Sequence, residues 1–594
     1  MVISQLVSAR SAYVAIACLV GLPVSAEAAR AEKNVWVPMR DGVRLMADVY
    51  RPDIPGKYPV LLVRTPYGRK GANVAAPYVA AGYIVVCQDA RGRYDSEGEF
   101  LGLAHEKTHD AEDGYDTVEW AAKLAESAGK VGTFGGSYDA FLQWRLAALQ
   151  PPSLVAMAAS SIPARMLDVE GPGTIRPGRR LMWYHGTISP DLRRRHAMEP
   201  PFAKKEANAI WEKGEKQLLW FLPWMDLPDS FWGSPREAEG MRTWLRNPAH
   251  DPWRLAEAAP KITVPNIAFI GWYDHCNGGI DIHNAVVAQG GSELARKHQR
   301  TIIGPWPHGG SRSRKVGDID FGKDAAVDLT NEQIRWFDHW LKGVDNGVRN
   351  DPSIRIFVMG ANTWRNEAEW PLRRAQPREF HLASGGAAAT PAGDGRLGAA
   401  PVKTQGRNTF IYDPRNPVPS LWTADLKTVP AEQGPLKHRR DILVYQTELL
   451  RAALEVTGYP EVELFAASSA PDTDFFVRLI DVAPDGRAID VASGMVRARY
   501  RDSLQAPKML EPGQPTRFKI RMGPTSIEFQ PGHRIRLDVT SSDFPSYDRN
   551  HNTAADPNVD PVLKPASNTV FHGGSLGSRL ILPVIAGDRR TVTR

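Results

Sequence analysis

The spacing of apolar residues changes character twice along the chain. Up to about residue 150, continuous apolar runs alternate with amphipathic stretches. Asn34 to Tyr50 alternates on either side of Asp41-Gly42, which predicts an antiparallel hairpin turning there. Tyr58-Pro-Val-Leu-Leu-Val-Arg64 and Tyr83-Ile-Val-Val-Cys87 are unbroken apolar runs, as strands covered on both faces require. Val131 to Phe134 predicts a third such strand. Helical spacing fills the gaps at Val74 to Ala81 and Asp110 to Ala122, and continues after the third strand from Phe141 to Leu149. Strand, helix, strand, helix, strand predicts a doubly wound parallel sheet. Such sheets gather their chemistry at the carboxyl ends of the strands, where Tyr67, Arg91 and Ser137 fall.

After Gln150-Pro-Pro one more short strand, Leu154 to Ala158, precedes an insertion rich in Trp, Arg and Pro. Its helical stretches include Phe202 to Leu222. Because it interrupts the sheet pattern, it is expected to form a cap over the sheet. Its tryptophans suit either an aromatic-lined pocket or core packing. The sheet pattern resumes at Val264 to Gly271 and Gln299 to Gly304, and a helix from Thr330 to Leu341 closes it. From about Pro352 the helical period gives way to short alternating runs punctuated by turn residues. Ile354 to Met359, Val462 to Ala466, Asp474 to Val482, Arg517 to Met522 and His533 to Thr540 are examples. They predict an all-β sandwich of jelly-roll type, with Ala383 to Gln405, rich in Gly, Ala and Pro, as a surface loop.

Composition narrows the reading. At 594 residues the chain is too long for one core. A net charge of +6, with no basic tract, gives no footprint for nucleic acid. Arg10, the apolar run Ala12 to Leu22 and the small residues Val24 to Ala29 predict an export signal, and hence a periplasmic or secreted protein. That run is short for a membrane span, and no later segment is long and apolar enough. Cys18 falls within the signal. Cys87 and Cys276 end well-separated strands, so stability is expected from the core rather than from a bridge between them.

The candidate chemistry starts at Gly135-Gly-Ser-Tyr-Asp139, a two-glycine turn between strand and helix. A serine there has its hydroxyl pushed clear of the sheet, beside the helix N-terminus. A nucleophilic serine needs a base, and the base needs a carboxylate to hold its tautomer. Beyond Ser137, the strand ending at Gly271 runs at once into Trp-Tyr-Asp274. The strand ending at Gly304 runs into Pro-Trp-Pro-His308. Residue types, chain order and sheet edge all match a triad of Ser137, Asp274 and His308. His105, His109, Asp110, Glu112 and Asp113 resemble metal ligands by type, but the acids suit the start of a helix, and neither metal nor cofactor is expected. Arg91 and Asp89 are expected to brace a strand end by ion pairing. His275 suits either the pocket or the surface.

Five ordered motifs, Arg64-Thr-Pro-Tyr67, Gln88-Asp-Ala-Arg-Gly92, Gly135-Gly-Ser-Tyr138, Gly271-Trp-Tyr-Asp274 and Gly304-Pro-Trp-Pro-His308, resemble those of a serine hydrolase family. That family includes cocaine esterase, α-amino-acid ester hydrolases, glutaryl-cephalosporin acylases and Xaa-Pro dipeptidyl-peptidases. The resemblance implies an α/β-hydrolase core with an inserted helical cap, followed by the jelly-roll sandwich. The expected boundaries are 1–29 for the signal, 30–158 and 259–345 for the core, 159–258 for the cap and 352–594 for the sandwich. It also implies an oxyanion hole formed by the Tyr67 phenol and the Tyr138 amide. Two departures stand out. Ala140 replaces the usual glycine three residues after the serine, a small change. His275-Cys276-Asn277 replaces the acids that bind a substrate ammonium in amino-ester hydrolases, which disfavours α-amino esters. The expected activity is cleavage of a small acyl ester, then of an amide, with Xaa-Pro peptidase activity as an alternative. A catalytically silent binding protein is the rival from another class. Nothing in the sequence specifies an oligomeric state.

Overall fold

The apolar runs become buried strands of one large sheet. The computed structural model describes residues 29–69, 71–171, 173–310, 312–421 and 430–586. The expected signal therefore lies outside the described residues, apart from Ala29. Ten strands order as β1-β2-β4-β3-β5-β6-β7-β8-β9-β10. They are β1 (Ala29–Pro38), β2 (Arg44–Pro52), β3 (Tyr58–Thr65), β4 (Ile84–Asp89), β5 (Ser127–Gly136), β6 (Leu154–Ser160), β7 (Asn266–Gly271), β8 (Gln299–Gly304), β9 (Ile354–Val358) and β10 (Thr363–Glu367). From β4 to β9 neighbours pair in parallel, while the β1–β2 hairpin and β10 add antiparallel edges. Parallel pairing needs long crossovers, and helices supply them.

Helices α1 (Ala72–Ala80), α2 (Asp110–Ala122) and α3 (Tyr138–Ala147) connect the early strands. The insertion contributes α4 (Pro177–Trp183) and other short helices, with no strand among the described residues between Ser161 and Pro265. Helix α5 (Ile280–Gln289) follows β7, and α6 (Leu329–Lys342) closes the layer. In α6 the buried Gln333, Trp336, Phe337, Trp340 and Leu341 recur at helical spacing. Asp328 caps its start by accepting from the Thr330 and Asn331 amides, and Gly343 ends it in the left-handed region at φ 75°. The indole of Trp336 and the ring of Phe337 share one apolar cluster with residues of β3, β4 and α1 on one face of the sheet. On the other face α2, α3 and the cap share one apolar cluster, in which Trp211, Trp224, Trp232 and Trp244 are buried. Most of the cap tryptophans are therefore packing groups.

The strands from Ala375 onward form an all-β sandwich whose core includes Phe475, Leu537, Val570 and Leu580. Two sequence expectations change here. Ile354 to Val358, expected in the sandwich, instead joins the hydrolase sheet, Ile354 to Ile356 pairing in parallel with β8, while Met359 bridges to Ile527 of the sandwich. An alternating run reports a strand but not its partner, and α6 delivers this one to the open edge beside β8. Within Ala383 to Gln405, Arg396–Gly398 is a strand paired with Ala375–Ala383, and Ala388 and Leu397 are buried. Small residues hide such a tie because their pattern carries little hydrophobic contrast.

The cap also meets the sandwich. The Arg176 guanidinium donates to the Ser546 carbonyl, and the Gly178 amide to the Pro545 carbonyl. Arg497, 1% exposed by its side chain, lies between Asp474 at 3.0 Å and Asp548 at 2.9 Å, and donates to the Gly173 carbonyl. The bond from Arg497 to the Gly173 carbonyl ties this buried ion group of the sandwich to the cap.

One buried imidazole gives a stability prediction. His283 on α5 sits between the Thr301 hydroxyl at 2.9 Å and the Ser353 hydroxyl at 3.2 Å, and burial pushes it down from 6.5 to about 4. Below pH 6.5 the unfolded chain gains a proton there that the folded chain refuses until about pH 4. Stability therefore falls across that window, by roughly 3 kcal/mol for this group. His551, also pushed down to about 4 by burial, adds to the slope. The expected result is that His283→Gln flattens the pH dependence of denaturant unfolding between those limits; parallel curves for the two proteins would contradict it.

Candidate active site

The turn that carries Ser137 is strained, and its neighbours make the strain tolerable. Strand β5 ends at Gly136, α3 begins at Tyr138, and Ser137 between them has φ 61° and ψ −127°. Holding a serine there costs about 1–3 kcal/mol. Gly135 adopts φ 140°, and a Cβ on it would lie 2.5 Å from the Asp139 Cβ, so only glycine fits. The Ser137 amide donates to the Ser160 carbonyl on β6, while its own carbonyl accepts from Ala140 and Phe141 to start the helix. Ala140, the departure from the usual glycine, is fully buried in the apolar cluster.

Two further loops meet this turn. After β7 and β8 the chain is tied across by Trp272 N–H to the Gly304 carbonyl at 2.8 Å and Tyr273 N–H to the Trp306 carbonyl at 3.1 Å. A Cβ on Gly271 would come within 1.9 Å of that Trp306 oxygen, so the close approach requires glycine. The tie sets Asp274 beside His308, with Nδ1 at 2.9 Å from Oδ1 and 3.1 Å from Oδ2. Asp274 also accepts from the Cys276 amide at 2.8 Å. Burial by itself would raise the Asp274 carboxyl, but the imidazoles of His308 and His275 outweigh it and hold Asp274 well below its ordinary range. It is a buried anion with donors around it.

The His275 side chain turns inward and is only 6% exposed. Its Nδ1 is 3.0 Å from Asp274 Oδ1, its Nε2 is 3.1 Å from Cys276 Sγ, and its ring centroid is 4.5 Å from that of His308. Burial first, then the nearby charge of Arg179, push it well below its ordinary value, so the ring is neutral.

Tyr67 completes the group. Burial pushes its phenol up to about 12, against the pull of the Ser137 and Trp183 side chains and the Tyr138 amide. The hydroxyl is therefore protonated at neutral pH and lies beside both the serine and the Tyr138 N–H. The Tyr67 ring meets those of Tyr138 and Trp183 edge-on at 6.5 Å. Ser137, Tyr67, Tyr138 and His308 line a cavity of about 820 Å³ beneath the cap, with Asp274 buried behind His308. Ser137 and His308 also line a second cavity, of about 920 Å³, beside Pro77, Phe134 and Trp306. All five residues singled out in the sequence thus converge. Such a group can attack an acyl carbonyl and hold the resulting oxyanion.

Comparisons with known proteins agree. Residues 41–310 match the X-Pro dipeptidyl-peptidase (S15) family, and residues 346–581 match the C-terminal non-catalytic domain of X-Pro dipeptidyl-peptidases. Cocaine esterase of Rhodococcus sp. (strain MB1 Bresler) is 35% identical over 93% of this chain and 98% of its own. The chain belongs to the serine hydrolase family of cocaine esterase. Among solved structures, an α-amino acid ester hydrolase aligns with TM-score 0.74 at 24% identity, covering 97% of this chain and 98% of that one. A CocE/NonD family hydrolase of Staphylococcus aureus aligns at TM-score 0.65 and 18% identity over 94% of each. These two likenesses carry the fold, and membership of the cocaine esterase family carries hydrolase chemistry.

Within this family member the other sequence candidates settle into structural places. Arg91 pairs with Asp113 at 2.6 Å and Asp41 at 2.8 Å, and Asp89 pairs with Arg69 at 2.7 Å, so both brace the strand end as expected. His105 stands 3.1 Å from Glu237 on a cap helix. Cys87 and Cys276 are both buried, and no disulfide joins them. Two features escaped sequence reasoning: the contact of His275 with Asp274, and Trp183 beside Tyr67. Three polar residues after a strand carry no signal of burial, and a cap tryptophan carries none of direction.

Proposed function

We propose that the protein hydrolyses small acyl esters through an acyl-enzyme on Ser137. His308 takes the serine proton and returns it to the leaving alcohol, Asp274 holds its tautomer, and Tyr67 with the Tyr138 amide binds the oxyanion. Water, activated by His308, then releases the acid. The observation that carries this reading is the contact of 2.9 Å between His308 Nδ1 and Asp274, with Ser137 on the wall of the same cavity as His308. That contact leaves Nε2 as the ring nitrogen free to serve the serine.

The cavity beneath the cap supports an ester preference. Trp183, Trp253 and Tyr94 offer apolar walls, and Arg179 and Arg180 place positive charge there. Among the described residues lining it, Asp191 is the carboxylate, and it is engaged by Arg194 at 2.8 Å and by the Tyr94 amide at 2.8 Å. In this cavity a substrate ammonium meets no carboxylate other than this engaged one. Purified protein is expected to turn over p-nitrophenyl acyl esters and to leave Ala-Pro-p-nitroanilide intact; preference for the dipeptide anilide would overturn the ester reading. Tyr67→Phe is expected to lower kcat by about 10²–10³-fold with little change in KM, since the lost donor acts on the oxyanion. An equal fall in Tyr67→Phe binding of substrate would contradict that role. We also infer export, from the leader at residues 1–29; recovery of the chain in the periplasm or medium with Ala29 or an earlier alanine removed would support it, and an intact cytoplasmic chain would not.

A further inference from the structure

The loop after β7 gathers more donors than acyl transfer needs. Asp274, His275, Cys276 and His308 offer a carboxylate, two imidazoles and a thiol, with one ligand atom of each lying within 4.8 Å of all the others. Two edges of this group are already short, His308 Nδ1 to Asp274 Oδ1 at 2.9 Å and His275 Nδ1 to the same oxygen at 3.0 Å. In a tetrahedral zinc site, bonds of about 2.0–2.3 Å place ligand atoms roughly 3.3–3.8 Å apart. Closing the group round an ion therefore takes side-chain shifts of about an ångström, not refolding.

A second observation points the same way. His275 Nδ1 is buried and makes no hydrogen bond among the described residues, although Asp274 Oδ1 is 3.0 Å away. The carboxylate lies off the axis a hydrogen bond needs, leaving this ring loosely committed. Cys276 and His308 both line the cavity beneath the cap, which gives an ion a route from solvent. A sulfur and nitrogen donor set selects zinc over magnesium or calcium.

We propose that Cys276, His275, Asp274 and His308 form an inhibitory zinc site that silences the hydrolase when occupied. The zinc–sulfur bond forms as the Cys276 thiol proton leaves to solvent. His275 coordinates through a ring-nitrogen lone pair, and Asp274 through a carboxylate oxygen in place of its hydrogen bond from His308. His308 binds through Nδ1, and its proton is carried on Nε2 instead. No electrons are transferred. With Nε2 protonated, His308 has no lone pair for the Ser137 hydroxyl. The inhibition rests on the catalytic reading above, whereas the binding does not.

The test uses the full-length purified protein, freed of metal by chelation. Buffered free zinc is expected to abolish p-nitrophenyl ester turnover, EDTA to restore it, and magnesium to have no effect. Cys276→Ala and His275→Gln are each expected to raise the half-inhibitory zinc concentration at least about tenfold, every variant judged against its own metal-free rate. Cobalt supplies a readout independent of activity. Wild-type protein is expected to show the near-ultraviolet thiolate-to-cobalt charge-transfer band, and Cys276→Ala to lack it. Zinc inhibition undiminished in both variants, or no thiolate band in the wild type, overturns the site. A thiolate band without inhibition in active wild-type enzyme overturns the inhibitory role. Should the ester turnover itself prove independent of Ser137, the cobalt band still reads the site separately.

Discussion

Ser137→Ala is expected to lower p-nitrophenyl ester turnover by about six orders of magnitude, the scale on which loss of the nucleophile acts in such triads. The variant retains His308, Asp274 and both oxyanion donors, so any residual rate reports binding and the oxyanion site alone. Its fold is expected to persist, because the backbone at φ 61° is held by Gly135, by the tie from the Ser137 amide to the Ser160 carbonyl and by the first turn of α3, not by the hydroxyl. Unfolding curves of wild type and variant should therefore agree to within about 1 kcal/mol. A Ser137→Ala protein that folds and keeps more than about a thousandth of the wild-type rate would move the nucleophile elsewhere.

Asp274→Asn has the second largest expected effect, a fall in kcat of about 10⁴-fold. The carboxylate accepts from His308 Nδ1 at 2.9 Å and from the Cys276 amide at 2.8 Å. An asparagine can keep the second contact through its carbonyl, but its amide then faces His308 and favours the tautomer with the proton on Nε2. That tautomer cannot accept the serine proton. The imidazolium formed during attack also loses the buried anion that stabilises it. The loss should appear in kcat more than in KM, because the ester does not reach Asp274 behind the His308 ring. A large rise in KM with kcat intact would instead mark Asp274 as a substrate-binding group.

Much of this site was legible in the sequence because its parts obey local rules. Unbroken apolar runs marked β3, β4, β5, β7 and β8, and the loops after β3, β5, β7 and β8 each carry a candidate site residue within four positions of the strand end. Chain order then joined Ser137, Asp274 and His308 before any geometry was known, and the motif resemblance placed Tyr67 with them. What stayed hidden depends on contacts between distant segments. Ile354 to Val358 reads as a strand of either sheet, and only its pairing with β8 decides. His275 suits either pocket or surface by sequence and Cys276 the end of a strand, yet the tie between the β7 and β8 loops turns both side chains inward against the triad acid. The cavities, too, are products of assembly. Ser137 lies on the wall of two of them, one roofed by the cap and one beside α1 and α6, a placement no periodicity encodes.

The account turns on one side chain becoming covalently acylated with the help of its two partners. Treating the folded protein with a fluorophosphonate and mapping the adduct by peptide mass spectrometry tests it most directly. The account predicts a single adduct on Ser137, formed rapidly in the wild type and almost undetectably in His308→Ala. An adduct on another residue, or equal labelling of Ser137 without His308, would contradict it.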